Sequence, residues 1–148
     1  PEQKGFELGQ QGLAYRSVCP LPLEANFRAG YDKGLQSFCS ASKGFDLGSQ
    51  GQAYRYVCPP EFEPEFRVGW ENGRALYQYE LEMASLQKQL NHIERKINKK
   101  EKELYAANLT DEQRRKIRSE LKNLDLKYRD VSRDLKYMAD NGPEVQID

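Results

Sequence analysis

An all-α protein, a duplicated helix-turn-helix repeat module followed by a long antiparallel coiled-coil helical hairpin, is the fold class this sequence predicts. Three observations carry it. Residues 4–38 recur at 43–77, displaced by 39 positions, with 18 identities among 35 aligned pairs. Apolar residues then recur in steps of three and four from Leu76 to Leu104, and again from Ile117 to Met138. Finally, neither Gly nor Pro interrupts the chain between Gly73 and Gly142. The organisation that follows is a repeat module over residues 1–79, a hairpin over 80–139 whose first helix continues from the module, and a flexible acidic tail over 140–148.

Each copy reads as two helical pieces joined by a Pro-marked turn. In the first copy Phe6 to Val18 is followed by Cys19-Pro20-Leu21-Pro22 and then by Glu24 to Phe38. Phe27, Tyr31, Leu35 and Phe38 draw one apolar stripe on the second piece, and Phe66, Trp70, Gly73 and Tyr77 repeat it. Glu63-Pro64-Glu65 suits a helix start, since Pro fits the first turn and acids fit the positive end of the helix dipole. Gly30 and Gly34, like Gly69 and Gly73, lie inside predicted helices, where each costs up to about 1 kcal/mol against Ala. Gly9, Gly12, Gly48 and Gly51 do the same in the preceding pieces. Such a pattern predicts backbones in near contact, where a Cβ would clash. So close a duplication also predicts that the copies fold alike and pack across a pseudo-twofold axis.

In the hairpin, Leu76, Tyr79, Met83, Leu86, Leu90, Ile93, Ile97, Lys100 and Leu104 form a heptad seam with one polar position. Asn108-Leu109-Thr110 interrupts it; Asn closes a helix, and Thr110 with Gln113 is a capping-box start. The second seam is Ile117, Leu121, Leu124, Tyr128, Val131, Leu135 and Met138. Tyr77 and Leu81, with Leu126 and Tyr137, add a second apolar stripe expected to dock the hairpin's base on the repeats.

Composition bounds the function. A hydrophobic share of 38% against 31% charged residues is wetter than an average globular domain, and zero net charge favours neither nucleic acid nor lipid in bulk. No apolar run reaches the roughly 18–20 residues a bilayer span needs. Lack of a signal peptide, with Pro1 in place of Met, reads as a mature or trimmed chain. No GxSxG, phosphate loop, HExxH or Cys/His pairing occurs, so no catalytic residue, metal site or cofactor is assigned, and the expectation is a protein that is not an enzyme. His92, the lone histidine, flanks the seam.

Three places remain where binding chemistry fits. Tyr15, Arg16, Arg28 and their counterparts Tyr54, Arg55, Arg67 are candidates for a small-anion groove between the copies, although core and turn-bracing roles suit them better. Arg95, Lys96, Lys99, Arg114, Arg115 and Lys116 form a basic hairpin tip; a solvated coiled-coil surface is the plain reading, contact with anionic groups the sharper one. Interleaved acids and the lack of aromatic platforms there argue against nucleic acid. Among the cysteines, Cys19 and Cys58 occupy equivalent places and are the candidate disulfide, while Cys39, whose counterpart is Gln78, is an alternative partner for either.

The pattern Phe27-Arg28-x-Gly30-Tyr31-x-x-Gly34-Leu35-x-x-Phe38-Cys39, then Gly44-Phe45-x-Leu47-Gly48-x-x-Gly51-x-x-Tyr54-x-x-Val57-Cys58-Pro59, then Phe66-x-x-Gly69 and Gly73-x-x-Leu76-Tyr77, resembles a bacterial family catalogued as domain of unknown function 2799. The resemblance covers about residues 5–105. It implies a cell-envelope lipoprotein of Gram-negative bacteria, periplasmic and membrane-tethered, with an oxidising surround that favours one disulfide. No lipobox cysteine is present, so a tether requires a segment removed ahead of Pro1. The family carries no established activity and hence no functional residue to transfer. The expected role is therefore a non-enzymatic structural or protein-interaction module, its hairpin binding a protein partner or a second copy of itself. The alternative is a small-ligand-binding module using the groove between the repeats.

Overall fold

The computed structural model describes residues 1–145 and contains, among them, five helices and no strand: α1 (Glu2–Gln10), α2 (Leu21–Phe38), α3 (Ala41–Ser49), α4 (Glu63–Leu104) and α5 (Asp111–Asn141). The all-helical expectation holds. The chain divides into two compact units, one of residues 1–78 and one of residues 79–143, with the division inside α4.

In the first unit α1 lies on α2, and α3 lies on the start of α4. The contact is backbone on backbone. A Cβ on Gly5 or Gly9 would run into the carbonyl oxygens of Phe27 or Tyr31, and one on Gly30 or Gly34 into those of Glu2 or Phe6. Thirty-nine residues on, Gly44 and Gly48 meet Phe66 and Trp70 in the same way, and Gly69 and Gly73 meet Ala41 and Phe45. The glycines are thus explained by helix packing tighter than any side chain permits.

Expected to run from Phe6 to Val18, the first helix instead ends at Gln10. Gly12 and Gly51 turn the chain with φ of 64° and 72°, a left-handed conformation that suits Gly. The rings of Phe38 and Tyr77 lie where their Cβ atoms would be. Beyond each turn the chain returns without helical hydrogen bonds. It is held by the Tyr31 hydroxyl donating to the Leu13 carbonyl at 2.8 Å, and by the Trp70 indole donating to the Gln52 carbonyl at 3.0 Å. Periodicity could not show this stop, because the ring that closes over each glycine is 26 residues away in sequence.

Tyr31, Leu35, Phe38, Cys39 and Phe66 form the core of this unit, with Leu8, Tyr15, Leu47, Tyr54, Val57, Cys58 and Phe62 packed around it. Phe38 and Phe66 meet at 5.2 Å between centroids, which joins the end of α2 to the first turn of α4. Contacts between the copies pair non-equivalent residues: Arg55, Cys58 and Phe66 of the second meet the Gly12 turn, Cys39 and Phe38 of the first. A twofold would make each contact reciprocally, bringing Arg16 to the Gly51 turn and Cys19 beside Gln78. Instead Arg16 is exposed, Cys19 is free and the Gly51 carbonyl is taken by Arg74, so these contacts run head to tail rather than across the expected pseudo-twofold.

In the second unit every seam residue from Tyr79 to Leu104 and from Ile117 to Met138 is buried or half-buried, with Leu90, Ile93 and Ile117 the most enclosed. Three polar contacts join the helices. Tyr79 donates to the Met138 carbonyl at 3.0 Å, Tyr128 donates to Glu94 at 3.1 Å, and Lys100 pairs with Glu120 at 2.6 Å. Asn108 (φ 71°) ends the turn, and Thr110 with Gln113 completes the capping box that starts α5. Leu81, Leu126 and Tyr137 are exposed. Tyr77 spends its ring on Gly51. Residues 140 and 141 of the expected tail still belong to α5, Gly142 caps it, and residues 146–148 lie outside the described part.

Candidate functional site

The tyrosine–arginine positions are used to fasten helix starts. Tyr15 donates to Glu24 at 3.0 Å and Tyr54 donates to Glu63 at 2.8 Å, each carboxylate lying in the opening turn of its helix. Burial, and then the hydrogen bond to Glu63, pushes the Tyr54 hydroxyl up to about 12. The Tyr15 hydroxyl is raised for the same reasons, burial first and Glu24 second. Hydrogen bonds from Ser17 and Tyr15 hold Glu24 below the usual carboxylate range. Arg28 lies over the Tyr15 ring at 5.0 Å, and Arg67 reaches Glu63 at 3.8 Å.

Arg55 crosses between the copies. It donates to the carbonyls of Gln11 and Gly12, at 3.0 and 3.3 Å, and so caps the carbonyl end of α1, where a cation is favoured. Its guanidinium also lies over the Phe38 ring. Its counterpart Arg16 is exposed and makes no such contact. The structure therefore does not gather the six residues around one groove; five of them are engaged in separate fastenings.

The disulfide is Cys39–Cys58, with Cα atoms 5.7 Å apart, and Cys19 is free. The Cys19–Cys58 pairing expected from equivalence is corrected by the head-to-tail packing. Cys19 stands before α2 and Cys39 caps its far end, so the 18-residue helix holds them roughly 27 Å apart. Cys58 belongs to the segment packed on that far end.

Of the basic tip, the structure gathers only part. Lys100, the polar seam position, pairs with Glu120 at 2.6 Å and Glu103 at 3.2 Å. Hydrogen bonds to Glu120 and then Glu103 hold the Lys100 ammonium above the usual lysine range, and the bond from Lys100 holds Glu120 below the usual carboxylate range. Beside this cluster lies an open groove of about 380 Å³ lined by Lys96, Lys99, Lys100, Glu120, Asn123, Leu124 and Lys127. Lys116 faces a second groove nearer the turn, with Lys100, Leu109 and Ile117. Arg95 and Arg115 are exposed and line neither groove, Arg114 is half-buried, and His92 is exposed. Lys127 and Asn123 were missed because they lie 27 or more residues from Lys96. Folding the two heptad seams on each other would have found them.

No helix of the described residues is long and apolar enough to cross a membrane, and no cluster of His, Cys, Asp and Glu among them is arranged to hold a metal. The structure defines an all-helical protein with a glycine-packed, disulfide-closed first unit. Residues 21–75 match the model of the family described as protein of unknown function (DUF2799). The likeness foreseen from the spaced Gly, Cys and aromatic positions is thereby shown over α2, α3 and the start of α4, a stretch that includes the disulfide and Arg55. No curated protein and no solved structure matches the chain.

Proposed function

We propose that this protein is a non-enzymatic interaction module of the bacterial cell envelope. In this reading residues 4–38 and 43–77 form a duplicated helix-pair module, and α4 with α5 forms an antiparallel coiled coil that serves as the partner-binding element. The carrying observation is the groove beside Lys100. Lys96, Lys99 and Lys127 line it around Leu124 and Asn123, and none of the three has an ion-pair partner among the described residues. Three uncompensated ammonium groups beside an apolar side chain suit a protein segment with carboxylates flanking one apolar residue. The Cys39–Cys58 disulfide suits an oxidising setting, and the resemblance to the family implies a periplasmic one with a membrane tether.

A photo-crosslinking residue at Asn123, introduced in the native host, tests the reading. It is expected to yield a discrete protein adduct that disappears in the Lys96→Glu/Lys99→Glu/Lys127→Glu chain. No adduct, or an adduct indifferent to charge reversal in a chain with an unchanged melting curve, would overturn it. The small-ligand reading has no comparable support, since Tyr15, Tyr54, Arg28, Arg55 and Arg67 are engaged as described.

A further inference from the structure

The two copies are joined by an interface that uses the leading edge of one and the trailing end of the other. Among the described residues the leading edge of the first copy is left uncovered. In the second copy that edge is Arg55, Val57, Cys58 and Phe62. Arg55 caps the Gly12 turn, Cys58 bonds Cys39, and Val57 and Phe62 pack on the Tyr31–Phe38 core. Subtracting 39 gives Arg16, Val18, Cys19 and Leu23. Arg16 is exposed and Cys19 carries a free thiol, while Val18 is 65% exposed, Leu23 42% and the neighbouring Leu21 86%. One set of side-chain types is thus satisfied in one place and bare in the other.

The opposite end of the array is closed. Arg74 donates to the Gly51 carbonyl and lies over the Tyr77 ring at 5.4 Å, taking the part that Arg55 plays at Gly12 and Phe38. At the position of Cys39 the second copy has Gln78, within the unbroken α4. A second copy of this chain therefore offers no unoccupied trailing end.

Resting on the duplicated-module reading, we infer that the face formed by Arg16, Val18, Cys19, Leu21 and Leu23 docks the trailing end of a further glycine-turned helix pair of the same repeat type. That end supplies turn carbonyls for Arg16, an aromatic ring, and a cysteine beside Cys19. The inference concerns the first unit alone and is independent of the lysine groove.

The probe is an extended chain in which a second copy of residues 4–42 is inserted between Gln3 and Lys4, keeping the 39-residue spacing. It is refolded with oxidised glutathione, which accepts the two electrons and two protons released as each disulfide forms. Docking predicts that Cys19 pairs with the inserted counterpart of Cys39, leaving one of five cysteines open to alkylation by iodoacetamide, and that Val18→Asp/Leu23→Asp releases Cys19 again. Cys19 remaining alkylated while Cys39–Cys58 is intact would overturn the docking. Loss of Cys39–Cys58 would overturn the duplicated module and the inference with it. Sedimentation of the natural chain covers self-pairing: a monomer is expected, and a dimer abolished by Val18→Asp would show the face packing on its own kind, contrary to the inference.

Discussion

Replacing Gly48 by Ala sets helix propensity against packing, and the structure says which wins. In an exposed helix the change would stabilise by about 1 kcal/mol. Here the new Cβ would press on the Trp70 carbonyl oxygen and stand 2.7 Å from the Arg74 amide nitrogen, where ordinary contact begins at 3.4 Å. Both atoms are helix backbone and cannot swing aside. α3 must therefore lift from α4 by about 0.7 Å or more, loosening Leu47 against the core. Overpacking of this kind costs about 1–3 kcal/mol, more where backbone must move. The expected net loss is about 1–2 kcal/mol, or roughly 2–8 °C in Tm for a chain of this size. Trp70 is the only tryptophan and packs against Tyr54 of the segment between α3 and α4, with ring centroids 5.4 Å apart, so its fluorescence reports this unit. Gly73→Ala should act similarly, and the double variant should lose less than the sum, because α3 is already displaced. Ser119→Ala, exposed on α5, should be neutral or slightly stabilising. A Gly48→Ala chain that melts higher than the parent would refute close backbone contact.

Cys39→Ser opens a disulfide with a sequence separation of 19 and should cost about 3 kcal/mol, read as a Tm drop of roughly 6–12 °C in Trp70 fluorescence; Cys19→Ser should change little. Tyr15→Phe and Tyr54→Phe should each cost about 1 kcal/mol in urea denaturation, since each strips a Glu of its hydroxyl donor; unequal losses would mark the two fastenings as different in kind. The Lys100–Glu120 pair has a pH signature. Glu120 is lowered in the folded state, so its contribution is present above about pH 4.3 and is lost as pH falls through its folded value. Lys100 is raised, so its share is lost only as pH rises through the lysine range. Glu120→Gln should therefore destabilise α4–α5 at neutral pH and converge with the parent in acid, followed by circular dichroism. Lys127→Glu places a carboxylate in the groove that holds Lys96 and Lys99, and should stabilise by about 0.3–0.5 kcal/mol while weakening any acidic partner.

Helix identity was legible where a local signal exists. The heptad steps marked the seam residues that are in fact enclosed, and Thr110-x-x-Gln113 marked the start of α5 because a capping box closes within one turn. The glycines announced close packing because nothing else offsets their cost inside helices. What local signals could not give was which distant residues meet. The stop at Gln10 depends on Phe38, and the lysine groove depends on how α4 and α5 align.

By itself the sequence determined that the chain is helical, that residues 43–77 repeat the sequence pattern of 4–38, and that it resembles the DUF2799 family, since each of these rests on local periodicity or direct comparison. Only the tertiary structure decided which copy's edge meets which copy's end. The same residues serve a twofold or a head-to-tail arrangement equally well, and the choice lies in contacts such as Arg55 on the Gly12 carbonyl and Cys58 on Cys39. That choice is also what leaves Arg16 and Cys19 without the partners their counterparts have.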